Sequence, residues 1–247
     1  MNKIFDALDL EKQGYKQLLN FFYEIKSEAD AKRIPYRLDG SEWKDAIVKK
    51  WEMTHMLMEV PVKEGQKILD AGSQNSLFSV MLARLGCEVY PIDINPISMD
   101  GGLVLKRQFD LGSKFNPKIA DMRSLPFPDE FFDAVFSLSV VEHIPDDGDI
   151  QAIQELFRVV KRDGYIGLTI DFYKEFLRGK DVIDPAVPIL QQKYWWVQER
   201  IYNEQAIWDR IIHPSNCHVV GEIDYNYIEP AIYNIYTMAS LVLKKVS

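Results

Sequence analysis

What this 247-residue sequence lacks excludes several classes of protein. Its two cysteines, Cys87 and Cys217, are too few and too far apart for a disulfide framework or a zinc pattern. No apolar run approaches the roughly 18 residues of a membrane span, and the N-terminus has no signal-peptide core. Acidic residues outnumber basic ones, 37 to 29, which argues against a nucleic-acid partner. We therefore expect a cytosolic protein.

The composition is ordinary for a globular chain, with 47% hydrophobic and 27% charged residues. The length suits one α/β domain with additions. We divide it into an N-terminal helical cap at residues 1–60 and a main domain at residues 61–247. The main domain includes an aromatic-rich insertion at residues 172–200 that contains Tyr194, Trp195 and Trp196.

The first 60 residues have the apolar spacing of helices. Phe22 and Ile25 fall on one face of a predicted helix at 15–32, and Ser41 is placed to cap a second helix. Two interpretations stay open. The helices pack on the edge of a sheet, or they close over an active site and form its apolar wall.

The stretch at residues 67–96, KILDAGSQNSLFSVMLARLGCEVYPIDINP, organises the rest of the chain. A short buried strand leads to a turn at Gly72, then to a helix at 77–85 that Gly86 ends, then to a second strand that ends at Asp93. This order predicts a βαβ unit. Because an acid after the second strand can accept both hydroxyls of a ribose, the first hypothesis is an adenosine-containing ligand.

The glycine pattern of the turn is incomplete. A full fingerprint has glycine at positions 72, 74 and 76, but this chain has Gly72, Gln74 and Ser76. The Ser76 hydroxyl can cap the following helix, and Asn75 tolerates left-handed backbone. The turn can therefore form without the later glycines. A structural βαβ unit that binds no ligand stays open as the alternative.

Three acids, Asp70, Asp93 and Asp121, end successive predicted strands. In an open parallel sheet, ligands bind at the edge where the strands have their carboxyl ends. One such acid could cap a loop, but three in succession favour a binding site. Beyond the first two strands, the pattern predicts strands at 116–122, 132–139, 165–171, 218–223 and 237–244, and a helix at 149–161 that Asp163-Gly164 ends.

Taken together, these segments resemble class I S-adenosylmethionine-dependent methyltransferases of the small-molecule type, the group that contains the ubiquinone and menaquinone methyltransferases. The resemblance covers about residues 67–171 and rests on ILDAGS, VYPIDINP, ADMRSLPF, FFDAVFSLSVVEHI and LFRVVKRDGYIGLTI. It implies an α/β fold with a Rossmann-like, doubly wound sheet of seven strands, mostly parallel with an antiparallel last strand. It also implies S-adenosylmethionine as cofactor and a small-molecule methyl acceptor, such as a sugar or an aromatic intermediate.

The same resemblance implies roles for individual residues. Asp70 and Gly72 line the methionine part of the cofactor, and Asp93 holds the ribose hydroxyls. Asp121 accepts from the adenine amine, beside the backbone N–H of Met122. The implied cofactor site consists of Asp70, Gly72, Ser73, Asp93, Ile94, Asp121, Met122 and Ser137.

Methyl transfer from a sulfonium is an in-line displacement for which the protein mainly provides alignment. A base is needed only if the acceptor must lose a proton, and His143 is the candidate catalytic residue. A metal site formed by Glu142, His143, Asp146 and Asp147 is an alternative, but Asp146-Asp147 also suits a helix N-terminus. A turn and a strand start explain His213 and His218 near Cys217. We predict no metal site.

Two other classes remain in competition. A nicotinamide dehydrogenase would share the βαβ unit, but GxGxxG is absent and Asp70 precedes the turn where a pyrophosphate would lie. A catalytically inactive, methyltransferase-like binding or regulatory protein is supported by Gln74 and Ser76 and opposed by the three intact acids. The sequence is also compatible with a homo-oligomer.

Overall fold

The structure is a computed structural model that describes residues 2–36, 43–178, 200–226 and 237–246, with the backbone alone at 43–46. A short strand, β1 (Asn2–Lys3), precedes a 3₁₀ turn, and two helices follow, α1 (Gln13–Ala31) and α2 (Trp43–Glu59). Ser41 lies outside the described residues, as do Tyr194, Trp195 and Trp196 of the insertion. No helix within the described ranges is long and apolar enough to cross a membrane.

The central part of the chain alternates strands and helices. Its elements are β2 (Lys67–Ala71), α3 (Leu77–Arg84), β3 (Glu88–Asp93), α4 (Pro96–Gln108), β4 (Lys118–Ile119), β5 (Phe132–Leu138), α5 (Gly148–Val159) and β6 (Val160–Phe172). The later elements are β7 (Leu177–Arg178), β8 (Arg200–Ile201), α6 (Glu204–Ile207), a π-helical turn (Trp208–Ile212), α7 (His213–Ser215), β9 (His218–Val219), β10 (Ile223–Asp224) and β11 (Thr237–Lys244).

Seven of these strands form one sheet, in the order β4-β3-β2-β5-β6-β11-β9. Strand β11 runs antiparallel to both of its neighbours, and the other pairs are parallel. The predicted Rossmann-like α/β fold with an antiparallel last strand is therefore confirmed. Its order places the carboxyl ends of β2, β3 and β5 side by side, which is where an open sheet binds ligands.

The turns around α3 form as their residues require. The Ser76 hydroxyl accepts a hydrogen bond from the backbone N–H of Phe78 at 3.1 Å and so caps the helix. At the other end, Gly86 has φ +92°, and the backbone N–H of Cys87 donates to the carbonyl of Leu82 at 3.2 Å. This is a Schellman ending, which satisfies the last carbonyls of the helix.

Several predicted boundaries were wrong. The third strand covers only Lys118–Ile119, and the sixth ends at Val219, because Ile223–Asp224 pairs with β1 instead. Helix α5 ends at Val159, before Asp163-Gly164. Val160 already pairs with Phe132, so the chain enters strand β6 five residues before the predicted start, with Asp163 at φ +61° inside it.

The N-terminal helices pack into the core of the sheet. Phe22 on α1 and Met56 on α2 are buried in the same hydrophobic cluster as Ile68, Val80 and Phe136. The helices therefore share the core that packs on the inner strands, whereas the first interpretation placed them on the edge of the sheet. The division at residue 60 stays a prediction.

Candidate active site

A pocket of about 190 Å³ lies at the carboxyl edge of the sheet. It includes six of the residues predicted for the site: Gly72, Asp93, Ile94, Asp121, Met122 and His143. The lining is completed by Ile92, Ala120, Arg123, Val140, Ile144 and Pro145. A larger open groove, of about 560 Å³, lies at the amino ends of the strands and contains none of the predicted residues.

Gly72 allows the turn after β2 to pass close to the loop after β5. Its φ is +76°, and a Cβ atom at this position would overlap with the side chain of Val140. Its backbone N–H donates to the carbonyl of Ile92 at 2.9 Å, which holds the turn against β3. A glycine is therefore required by both the backbone conformation and the lack of space.

Asp93 is the best-placed acid of the pocket. Its Oδ2 accepts from the backbone N–H of Gln74 at 3.1 Å, and its Oδ1 accepts from that of Asn95 at 2.8 Å. These two hydrogen bonds fix the orientation of the carboxylate at the tip of β3. Gln74, and not Asn75, adopts the left-handed conformation (φ +50°), while the Asn75 side chain donates to the Pro35 carbonyl at 3.0 Å.

Asp121 is paired with a residue that the sequence interpretation did not single out. The Arg123 guanidinium donates to Asp121 Oδ2 through Nη2 at 2.7 Å, and the Arg123 backbone N–H donates to Oδ1 at 2.8 Å. The guanidinium holds the pKa of this carboxyl below its usual range. Both side chains line the pocket, so its floor carries an ion pair and not a lone acid.

Three predicted residues, Asp70, Ser73 and Ser137, lie behind the pocket wall. Burial raises the pKa of Asp70 to about 7, an effect that the Ser79 hydroxyl opposes and the charge of Asp93 increases. The Ser73 hydroxyl donates to the carbonyl of Gln74 at 3.2 Å. Ser137 is fully buried, and its Oγ has no hydrogen-bond partner within the described residues.

A group of buried acids next to the pocket was missed by the sequence interpretation. Glu52 on α2 accepts hydrogen bonds from the hydroxyls of Ser139 and of Thr169, the latter at 2.7 Å, and lies 2.7 Å from Lys49 Nζ. These contacts fix α2 against the carboxyl ends of β5 and β6. Glu52 could have been identified from its position between Trp51 and Met53, on a helix face that the sequence pattern predicts to be buried.

Glu142 and Asp171 complete this buried group. Neither carboxylate oxygen of Glu142 makes a hydrogen bond within the described residues. Burial raises its pKa to about 8, and the charge of Glu52 adds to the shift while that of Lys49 opposes it. Burial and the neighbouring Glu142 also raise the pKa of Asp171 well above its usual range. The pair therefore retains a proton at neutral pH.

Asp147, one of the acids of the alternative metal site, pairs with arginines, as does the neighbouring Asp149. Asp147 pairs with Arg178 at 3.0 Å and with Arg210 at 2.8 Å, and Asp149 pairs with Arg210 at 2.7 Å. Within the described ranges, no three His, Cys, Asp or Glu side chains are grouped so as to hold a metal ion. The His213 side chain is largely exposed, and its Nδ1 lies 3.7 Å from the carboxylate of Asp209.

The fold and the pocket agree with the predicted resemblance to class I methyltransferases, and comparisons with known proteins support it. A family model described as a methyltransferase domain matches residues 69–168. The chain is 30% identical over 131 residues to the ubiquinone/menaquinone biosynthesis C-methyltransferase UbiE of Pasteurella multocida (strain Pm70), an overlap of 52% of this chain and 46% of that protein. The predicted resemblance is therefore confirmed. The chain spans about a quarter to a half of the length of the curated relatives it matches.

Solved structures are similar in fold. The [4+2]-cyclase SpnF superimposes with a TM-score of 0.63 at 16% identity, covering 85% of each chain. Geranyl diphosphate C-methyltransferase from Streptomyces coelicolor A3(2), in complex with Mg²⁺, geranyl diphosphate and S-adenosyl-L-homocysteine, gives 0.59 at 12% identity, covering 85% of this chain and 86% of that one. At such identities the likeness concerns the fold alone.

Proposed function

We propose that this chain binds S-adenosylmethionine and transfers its methyl group to a small-molecule acceptor. The observation that carries the proposal is Asp93, whose carboxylate lines the pocket at the tip of β3 and is oriented there by two backbone N–H groups. The methyltransferase domain match and the cofactor product in a related solved structure support the same cofactor.

In this proposal the pocket holds the adenosine part of the cofactor. Asp93 accepts from the ribose hydroxyls, and the apolar side chains of Ile94, Met122 and Ile144 enclose the base. Ile94 is 64% exposed although it lines the pocket, so a bound planar base would cover an apolar surface. Arg123 already donates to the Asp121 carboxylate, so an adenine amine that binds there donates to the same two oxygens.

The methionine part lies toward Gly72, Ser73 and Ser137. The close approach of Gly72 to Val140 shapes this end, and the buried Ser137 lies behind it. Asp70 lies behind the pocket wall. Its carboxylate accepts a hydrogen bond from the Ser79 hydroxyl and thereby connects β2 to α3.

The cofactor supplies an electrophilic methyl group, and the protein aligns an acceptor with it. His143 lines the pocket, and its imidazole is the residue proposed to take a proton from an acceptor hydroxyl, amine or carbon acid. The acceptor class follows the relatives in being a small molecule, such as a quinone precursor, a sugar or an aromatic intermediate. A cytosolic location and a homo-oligomeric state remain predictions from the sequence.

A second function keeps the fold without methyl transfer. Gln74 stands in left-handed backbone where the fingerprint has glycine, and SpnF, whose fold is similar, is named for a cyclisation. A binding protein or a different enzyme would then use the same pocket.

Calorimetric titration separates these functions. Wild-type protein is titrated with S-adenosylmethionine, S-adenosylhomocysteine and, as control, a nicotinamide dinucleotide. Micromolar binding of the two sulfur ligands alone supports the proposal, and turnover with a screened acceptor then separates an enzyme from a binding protein. Absence of binding to either sulfur ligand would overturn it.

A further inference from the structure

Arg200 holds both ends of the loop that forms one wall of the pocket. Its guanidinium side chain is only 1% exposed. Nη1 donates to the carbonyl of Val141 at 3.0 Å, Nη2 donates to the carbonyl of Asp146, and Nε lies 3.5 Å from the carboxylate of Asp149. One buried cation thus bridges two backbone carbonyls that are five residues apart.

Arg178 holds the same loop from the outside. Its Nη2 donates to the Asp146 carbonyl at 3.1 Å and to Asp147 Oδ1 at 3.0 Å. Arg178 and Arg200 are register partners in the antiparallel pair of β7 and β8. Both arginines therefore contact one carbonyl, that of Asp146, from adjacent strands.

The loop between the two carbonyls contains functional candidates. His143, Ile144 and Pro145 line the pocket, and Asp146 has φ +56°, a conformation that non-glycine residues adopt at an energetic cost. Few backbone hydrogen bonds hold the loop from within, such as that from the His143 N–H to the Val140 carbonyl at 3.0 Å. The arginine contacts thus supply much of what keeps the strained turn in place.

We propose that Arg200 is a positioning residue that holds the loop at 141–146 in the conformation that binds cofactor and places His143. The proposal rests on the proposed function, since it concerns the same pocket. Arginine is required because its planar fork can donate to two carbonyls at once, whereas a lysine ammonium is a compact point charge. Arg178, on the neighbouring strand, supports the same carbonyl.

The chain offers a matched control. Arg158 also bridges two backbone carbonyls, donating to Phe127 at 2.8 Å and to Leu125 at 3.0 Å. Those two residues do not line the pocket. If replacing such an arginine only destabilises the protein, variants at Arg158 and at Arg200 should both show the loss. A change in the pocket should appear in the Arg200 variant alone.

The experiment compares R200K and R158K with wild type. S-adenosylhomocysteine affinity is measured by calorimetry, amide exchange by mass spectrometry, and folding by thermal unfolding. We expect R200K to weaken binding about tenfold and to speed exchange at residues 141–147, because two charge-assisted hydrogen bonds to the loop are lost. R158K keeps its affinity within about twofold. Unchanged affinity and exchange in a folded R200K would overturn the proposal.

Two further outcomes are decisive. If wild type itself fails to bind S-adenosylhomocysteine, the proposed function fails, and faster exchange at 141–147 in R200K alone still supports the positioning role. If R200K does not fold, R178Q replaces it, because the Arg178 side chain is about half exposed and tolerates change. We then expect about threefold weaker binding and faster exchange of the same loop. Wild-type behaviour of R178Q would overturn the proposal.

Discussion

The two walls of the pocket are built in different ways. The wall from Gly72 to Asp93 comes from one βαβ unit, and its contacts join residues about 20 positions apart, such as Gln74 and Asp93. The opposite wall, around His143, depends on Glu52 and on Arg200, which lie about 90 positions before it and about 60 after it. Local contacts thus make the wall proposed to bind the nucleotide, and long-range contacts make the wall proposed to hold the catalytic residue.

If the two walls have separate roles, mutations in them should have different effects. Changes in the local wall should act on cofactor affinity, and changes in the long-range wall should act on turnover or on pH dependence. Each variant below is therefore measured for affinity as well as for stability or rate.

The largest effect is expected for H143A. If His143 is the base, its loss lowers the turnover number by about 10²-fold or more, while S-adenosylhomocysteine affinity changes little. Steady-state kinetics with an identified acceptor and calorimetry on the same protein measure the two quantities. Full turnover in this variant would remove His143 from the base role.

D93A should affect the local wall most. The ribose loses a charged acceptor, so we expect S-adenosylmethionine to bind more weakly by about 1.5–3 kcal/mol, or roughly 10- to 150-fold. D93N is the control, since its amide oxygen keeps part of the contact and should give a smaller loss. An unchanged dissociation constant for D93A would refute the ribose assignment.

G72A should destabilise the protein by about 1–3 kcal/mol, because the new Cβ overlaps with Val140 in addition to the strain of positive φ. G221A isolates the second contribution, since Gly221 has φ +75° and nothing within 4 Å of its Cβ position. Chemical denaturation compares the two variants. Equal losses would show that the close approach to Val140 contributes nothing.

The smallest effect is expected for the pH dependence of E142Q. The folded pKa of Glu142, about 8, lies above its usual value of 4.5, so the folded state binds the proton more tightly. This stabilisation is complete below about pH 4.5 and is lost as pH rises through 8. We expect E142Q to reduce the loss of unfolding free energy between pH 5 and 8.5 without abolishing it, since Asp171 and Asp70 titrate in the same direction.

The control for this measurement is E222Q, at an exposed position, and its pH profile should match that of wild type. A wild-type profile in E142Q would show that Glu142 is not the group whose proton stabilises the fold.

The fold was largely predictable from the chain because its signals are local and repeated. Apolar runs of strand length, Gly86 after a helical stretch and an acid after each of the first strands all act within a few residues. The errors in β4, β6 and β9 fall where pairing with a distant strand decides the boundary. Val160 belongs to β6 because Phe132 is its partner.

The candidate site shows the same limit. Gly72 and Asp93 were predicted from a turn and a strand end, and both line the pocket. Arg123 and Arg200 were not predicted, because the sequence around an arginine does not indicate which carbonyl or carboxylate it will contact. Asp70 was placed in the lining, whereas its burial against Ser79 puts it behind the wall.

By itself, the sequence determined the α/β class, the βαβ unit and the acid at the tip of β3, since hydrophobic periodicity and turn chemistry are properties of neighbouring residues. Only the tertiary structure decided that Glu52, Glu142 and Asp171 share a buried region and that Arg200 holds the loop beside His143. Such contacts join residues whose separation along the chain says nothing about their distance in space, and their energies depend on burial that folding alone creates.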